Sequence, residues 1–137
     1  LLSNYGTVEP VGEADLMATD EYGLANLQRY AFNMPVGVPP ARYRPGSNQA
    51  GLPTLSFDRG GRCLCVEFVR RKLSTRPEVD YVVQVTDDLG GPWEVLEKAR
   101  VSTTSIDAVW ERVHVEDATP SPGGRMRFLR VTVVPAR

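Results

Sequence analysis

Short segments of alternating apolar side chains follow one another from residue 54 to the end of the chain, and they constrain the fold more than any other feature. Six such segments occur, at residues 54–58, 62–71, 79–86, 93–101, 108–117 and 125–134. A period of two is typical of β-strands, in which successive side chains point to opposite faces. No helical pattern lies between them, which argues against a parallel sheet with connecting helices. The pattern predicts an all-β antiparallel sandwich.

The breaks between these segments support the same prediction. Four of them, at residues 59–61, 75–77, 88–92 and 119–124, contain the Gly, Pro and Asp residues that favour turns. Only the break at residues 102–107 lacks Gly and Pro. We expect an immunoglobulin- or fibronectin-like sandwich over residues 54–137, with a jelly roll as the alternative.

Residues 1–53 lack this alternation, and we interpret them as a polar lead-in, one short helix and a proline-rich strap. The helix is indicated by apolar residues at helical spacing, namely Leu24, Leu27, Tyr30 and Ala31. Asn33 and Pro35 end it, because the residue before a proline is disfavoured in a helix. The strap, residues 34–53, holds five prolines. We expect residues 1–53 to pack on the sandwich, so that the two parts form one globular unit and a monomer.

Alternation also predicts which side chains face the core. On the strand at 108–117 the core-facing residues are Val109, Val113 and Val115. The opposite face then carries Trp110, Arg112, His114 and Glu116. Trp93 shares a face with Val95, Ala99 and Val101 and is expected in the core. The basic run Arg70, Arg71 and Lys72 is interpreted as a solvated strand end.

The segment before and within the helix resembles a calcium-binding loop that has lost most of its ligands. Such a loop uses side-chain oxygens at positions 1, 3, 5 and 12 and glycine at position 6. With Gly23 at position 6, Asp20 and Asn26 fall at ligand positions 3 and 9. The other three positions hold Ala18, Tyr22 and Arg29, which are poor calcium ligands. We therefore expect no metal and no cofactor here, with the loop held by its own hydrogen bonds.

Three segments together resemble a C-terminal domain of large secreted proteins of environmental Gram-negative bacteria. That family has a D-x-D-G-D-G-L-x-N-L-x-E-Y-A-L loop-helix, and residues 20–32 read DEYGLANLQRYAF. Its Y-x-V-x-x-S-x-D-L-x-x-W hairpin is matched by residues 81–93, YVVQVTDDLGGPW, with Thr for Ser and one extra residue. Its closing arginine-aromatic strand is matched by residues 127–133, RFLRVTV.

The resemblance implies a non-catalytic accessory module of a secreted or surface-attached protein, and hence an extracellular or cell-surface location. The chain begins at Leu1 and shows no signal peptide, so we expect an excised domain or processed segment. A net charge of −1 gives no electrostatic footprint for nucleic acid. No apolar run approaches the roughly 18 residues of a spanning helix, so we expect no membrane insertion.

The sequence offers little for catalysis and one candidate for binding. His114 is the only histidine, and Asp87 and Asp88 lie in a predicted turn, so we expect no enzyme. Trp110 on a polar strand face, beside Arg112 and His114, is a candidate stacking platform for a sugar, with Tyr43 as a further contact. The other interpretation is that the strap or the N-terminal helix covers Trp110, and it is favoured because both segments must bury their own apolar residues. If the strap covers it, Tyr43 and Arg42 or Arg44 are the expected neighbours.

Carbohydrate binding is accordingly the expected activity, with a polysaccharide or a domain of the parent protein as partner. The alternative is a structural or cell-surface attachment domain without a small ligand. A contact between Trp110 and another protein is a third interpretation of the same residue.

Overall fold

The computed structural model describes residues 25–34, 39–48, 50–58, 60–119 and 127–136. Within these ranges the chain forms one α-helix and seven β-strands. They are α1 Asn26–Phe32, β1 Thr54–Phe57, β2 Leu64–Arg71, β3 Val79–Thr86, β4 Glu94–Val95, β5 Ala99–Ser105, β6 Trp110–Asp117 and β7 Phe128–Pro135. The prediction of an all-β protein with one short helix is confirmed. The first part of the predicted calcium loop, including Asp20, lies outside the described residues, whereas its other candidate ligand, Asn26, is the first residue of α1.

The strands form two antiparallel sheets. The first has four strands in the order β1-β2-β6-β5, and the second has three in the order β4-β3-β7. In the first sheet β2 and β6 are paired from Cys65 opposite Glu116 to Arg71 opposite Trp110. The inner faces of the two sheets enclose the main core together with α1, so the architecture is a two-layer sandwich closed by a helix.

The predicted strand at residues 93–101 is wrong, because the chain changes sheets within it. Residues 94 and 95 form β4 in the second sheet, whereas β5 starts at Ala99 in the first. Between them the Leu96 N–H donates to the Val83 carbonyl at 2.9 Å, which holds the crossover on the second sheet. β5 then runs to Ser105, so most of the predicted break at 102–107 is strand. Residues 102–105 contain no Gly or Pro, so nothing in this stretch interrupts the strand.

Helix α1 is defined by local hydrogen bonds at both ends. The Gln28 side-chain oxygen accepts from the Ala25 N–H at 3.0 Å, which gives this backbone N–H a hydrogen-bond partner just before the first turn. At the other end Asn33 adopts a left-handed conformation, with φ 56° and ψ 44°, and its N–H donates to the Arg29 carbonyl. Asparagine tolerates this conformation better than most residues, so it ends the helix.

The helix closes the sandwich with an aromatic cluster. The rings of Phe32 and Phe68 meet edge to face at 6.3 Å between centroids, and Tyr81 lies 5.9 Å from Phe32 and 6.0 Å from Phe68. Leu27 and Ala31 are buried beside them, as the helical spacing predicted. The core therefore receives side chains from the helix and from both sheets.

Strand β1 lies at the edge of the first sheet and is poorly covered. Leu55 and Phe57 pair opposite Val66 and Leu64, which are buried in the core. Nevertheless Leu55 is 51% exposed and Phe57 is 61% exposed. The core thus ends at β2 on this side of the sandwich.

Phenylalanine on β2 and phenylalanine on β1 offer a matched test of where the core ends. We expect Phe68→Ala to lower the free energy of unfolding by about 3–5 kcal/mol, because it deletes a buried ring and leaves a cavity. Phe57→Ala should cost about 0.5 kcal/mol or less, since its ring is mostly in water. Chemical unfolding of both variants measures the difference. Equal losses would show that β1 is covered in solution.

Candidate functional site

The register of β6 brings the predicted site residues together on one face of the first sheet. Trp110, Arg112 and His114 lie on the face opposite Val113 and Val115, as alternation predicted. Val109 differs from the prediction, since it precedes β6 and packs beside Trp110 instead of entering the main core. The face formed by β2 and β6 outside the core is called the strap face below.

The predicted stacking platform at Trp110 is wrong, because the indole is 0% exposed. It packs with Tyr43 and Val69 in a second buried cluster. Tyr43 comes from the strap, so the alternative interpretation, in which the strap covers Trp110, is the one that the structure shows. A buried indole presents no face to a ligand, and its Nε1–H has no hydrogen-bond partner among the described residues.

Tyr43 anchors the strap through backbone and side-chain hydrogen bonds. Its N–H donates to the Leu52 carbonyl at 2.7 Å, and its phenol donates to the Ser47 carbonyl at 2.8 Å. The Thr54 hydroxyl donates to the Tyr43 carbonyl. Gly51 has φ 154°, and a Cβ there would lie 2.5 Å from the Tyr43 nitrogen. Glycine at 51 therefore lets the two arms of the strap approach each other.

Arg112 and His114 also serve the strap. The Arg112 Nη1 donates to the carbonyls of Gly46 at 3.1 Å and Ser47 at 3.4 Å. His114 Nδ1 lies 3.2 Å from one Glu67 oxygen, and the other Glu67 oxygen accepts from the Gly46 N–H at 2.6 Å. Tyr43, Trp110, Arg112 and His114 are thus neighbours, but their described contacts attach the strap to the first sheet.

Beneath this cluster Arg71 is buried, at 5% exposed, so its prediction as part of a solvated strand end is wrong. Its Nε donates to the Tyr30 carbonyl at 3.1 Å. The guanidinium carbon lies 3.6 Å from the Tyr30 ring centroid and 4.7 Å from that of Trp110. The Arg71 N–H donates to the Tyr81 hydroxyl, which in turn donates to the Ala31 carbonyl. Arg71 therefore connects α1, β2 and the second cluster.

Trp93 has the kind of environment that was considered for Trp110, because it is a partly exposed tryptophan beside polar groups. It was expected in the core, and that prediction is wrong. Trp93 is half-buried and belongs to neither buried cluster. The reason is the short β4, whose Val95 pairs with Gln84 and is 59% exposed, so Trp93 lies on the outer side of the second sheet.

Polar side chains from β3 and β7 surround this indole. The Arg130 guanidinium lies over the ring, 4.1 Å from its centroid. Arg130 Nε donates to the Gln84 side-chain oxygen at 2.8 Å, and the Thr132 hydroxyl lies 3.3 Å from the same oxygen. The set formed by Trp93, Gln84, Arg130 and Thr132 is called the Trp93 face below. Leu129, Val131 and Val133 of β7 pack in the core. The alternation of this strand in the sequence therefore indicates that Arg130 and Thr132 lie on the outer face.

A cavity of about 300 Å³ lies at one end of the second sheet, lined in part by Asp87, Asp88 and Arg127. Arg127 forms ion pairs with the buried Asp117 and with Asp87, and its pKa is raised, first by the hydrogen bond to Asp117. Asp88 accepts the Gly90 N–H at 2.9 Å, which confirms the predicted turn. Among the described residues no group of three or more His, Cys, Asp and Glu side chains is placed to hold a metal.

The phenol of Tyr43 gives a pH-dependent test of the strap. Burial, with the neighbouring Glu67 carboxylate as the second cause, raises the pKa of Tyr43 to about 12 from its usual value of 10.0. A raised pKa favours the protonated form in the folded state. Its stabilisation is therefore present below pH 10 and is lost as the pH rises through about 12.

Tyr43→Phe should lower the free energy of unfolding by about 1 kcal/mol at pH 7, because the hydrogen bond to Ser47 is lost. Phenylalanine does not ionise, so this variant should lose less stability than the wild type between about pH 10 and 12. Denaturant unfolding at several pH values measures both effects. An unchanged alkaline dependence would contradict the buried environment of the phenol.

Comparisons with known proteins add no family to this description. No protein-family model matches the sequence, and neither a curated protein nor a solved structure matches it. The resemblance to C-terminal domains of secreted proteins therefore stays a prediction. Among the described residues no helix is long and apolar enough to cross a membrane.

Proposed function

We propose that this chain is a non-catalytic accessory module of a secreted bacterial protein and that it binds polysaccharide on the Trp93 face. The observation that carries the proposal is the half-buried Trp93 indole beside three hydrogen-bonding side chains on one sheet face. Binding sites for small molecules combine apolar or aromatic area with a few placed polar groups. The proposed location is extracellular or at the cell surface.

The geometry of the face supports contacts with hydroxyl groups. Gln84 on β3 pairs directly opposite Arg130 on β7, and Thr132 follows two residues later on the same side. The Gln84 oxygen accepts from Arg130 and lies near the Thr132 hydroxyl. Its amide nitrogen has no described partner and is left to donate to a ligand.

The covered strap face favours the Trp93 face as the binding surface. Tyr43 and Trp110 are buried against each other, and Arg112 donates to strap carbonyls. Ligand binding there would have to displace the strap and expose a buried indole. The Trp93 face requires no such rearrangement, because Arg130 is exposed.

Support for a non-catalytic role comes from the surroundings of the only histidine. His114 contacts Glu67, which also holds the strap at Gly46. Both residues are thus engaged in positioning the strap on the first sheet, which is a structural role.

A second candidate is a structural or attachment domain without a small ligand. It is favoured by the exposed apolar side chains of Leu55 and Phe57 on the edge strand β1. Exposed apolar area on an edge strand is a common contact surface for another protein. In this function β1 would pack against another domain of the parent protein.

Affinity electrophoresis through gels containing plant or algal polysaccharides tests the first proposal. We expect retardation of the wild type by at least one polysaccharide. Trp93→Ala should weaken that binding by about tenfold or more, because it removes the aromatic area of the face and the ring on which the Arg130 guanidinium lies. Phe57→Ala is the matched control, since it removes an exposed aromatic from the other sheet. Absence of retardation in every gel would favour the attachment domain.

A further inference from the structure

We propose that Arg130 is the specificity-determining residue of the Trp93 face and that it selects polysaccharides carrying an anionic group, a carboxylate or a sulfate ester. This inference rests on the proposed function and deepens it. It is carried by the orientation of one guanidinium, by its lack of a carboxylate partner among the described residues, and by its exposure.

Two contacts fix the plane of the Arg130 guanidinium. It lies over the Trp93 ring at 4.1 Å, within the range of a cation–π interaction. Its Nε donates to the Gln84 oxygen at 2.8 Å. Both contacts leave the terminal nitrogens Nη1 and Nη2 without a described partner. These nitrogens can bind two oxygens of one ligand group at once.

The charge of Arg130 also distinguishes it from other arginines of the sandwich. Three of them form ion pairs with carboxylates, namely Arg70 with Glu111, Arg100 with Glu116, and Arg127 with Asp117 and Asp87. Arg130 has no described carboxylate partner, although it is held in one orientation. An exposed positive charge without a described carboxylate partner is suited to an anionic ligand.

The stacked guanidinium changes how a ligand meets this surface. Because Arg130 covers one face of the Trp93 indole, a sugar ring cannot stack on that face while the pair is intact. The pair therefore offers charge and hydrogen bonds in place of an open aromatic platform. The amide nitrogen of Gln84 and the hydroxyl of Thr132 lie on the same sheet face and can contact neighbouring ligand hydroxyls.

Recognition of an anionic group and a merely structural role predict different effects of substituting Arg130. Arg130→Gln removes the charge, whereas Arg130→Lys keeps the charge and loses the planar pair of nitrogens. If Arg130 only covered Trp93, both variants would act equally on charged and neutral polysaccharides. If it recognises an anionic group, their effects should be confined to charged ones.

Binding measurements on four polysaccharides separate these possibilities. They are polygalacturonate, its fully methyl-esterified form, a neutral galactan and a sulfated galactan. We expect the wild type to bind polygalacturonate, the sulfated galactan or both more tightly than the neutral pair. Arg130→Gln should weaken charged binding by about tenfold or more, and Arg130→Lys by less. Arg62→Gln, which changes an exposed arginine outside this face, should leave it unchanged.

The same panel shows which anionic group is recognised and which claim fails. Binding of polygalacturonate alone assigns a carboxylate, and binding of the sulfated galactan alone assigns a sulfate ester. Equal wild-type binding to charged and neutral forms, with Arg130→Gln unchanged, would overturn the role of Arg130 and leave the proposed function standing. Absence of binding to all four would overturn this inference, and absence in the wider plant and algal panel as well would overturn the proposed function. Circular dichroism and the thermal midpoint verify that both variants are folded.

Discussion

The buried guanidinium of Arg71 is the interaction on which most of the arrangement depends. Removing a charged group from water is costly unless polar and aromatic groups replace its hydration. Here the Tyr30 carbonyl accepts from Arg71 Nε, and the rings of Tyr30 and Trp110 lie against the guanidinium. Because these residues belong to α1, β2 and β6, one side chain couples the helix to the first sheet. Trp110 also belongs to the second cluster, in which Tyr43 of the strap is buried.

The two outer surfaces of the sandwich differ in how the described residues cover them. The strap face is occupied, since Tyr43 packs on Trp110 and Arg112 donates to strap carbonyls. On the Trp93 face Arg130 is exposed, and no described residue covers it. Polar groups of similar type therefore hold the strap on one sheet and, in the proposed function, bind a ligand on the other.

The sequence predicted local features well and long-range ones poorly. Alternation located β3 at its observed bounds and gave the correct faces of β6, because both depend on neighbouring residues. It could not tell which outer face is covered, since that depends on how the strap docks from a distance in sequence. Trp93 was therefore assigned to the wrong environment, and Trp110 was left with two interpretations, a platform for a sugar and a residue covered by another segment. Arg71 was assigned to solvent because its charge, taken alone, favours exposure.

The indole N–H signals of the two tryptophans test the account most directly. The chain has only two tryptophans, so a nitrogen–proton correlation spectrum should contain two indole signals, assignable with Trp93→Phe. Titration with oligosaccharides of the anionic polysaccharide that is bound, galacturonic acid or sulfated galactose, should shift the Trp93 signal, whereas the signal of the buried Trp110 should stay in place. Shifts confined to Trp110 would contradict the account, because they would place the ligand at the strap face.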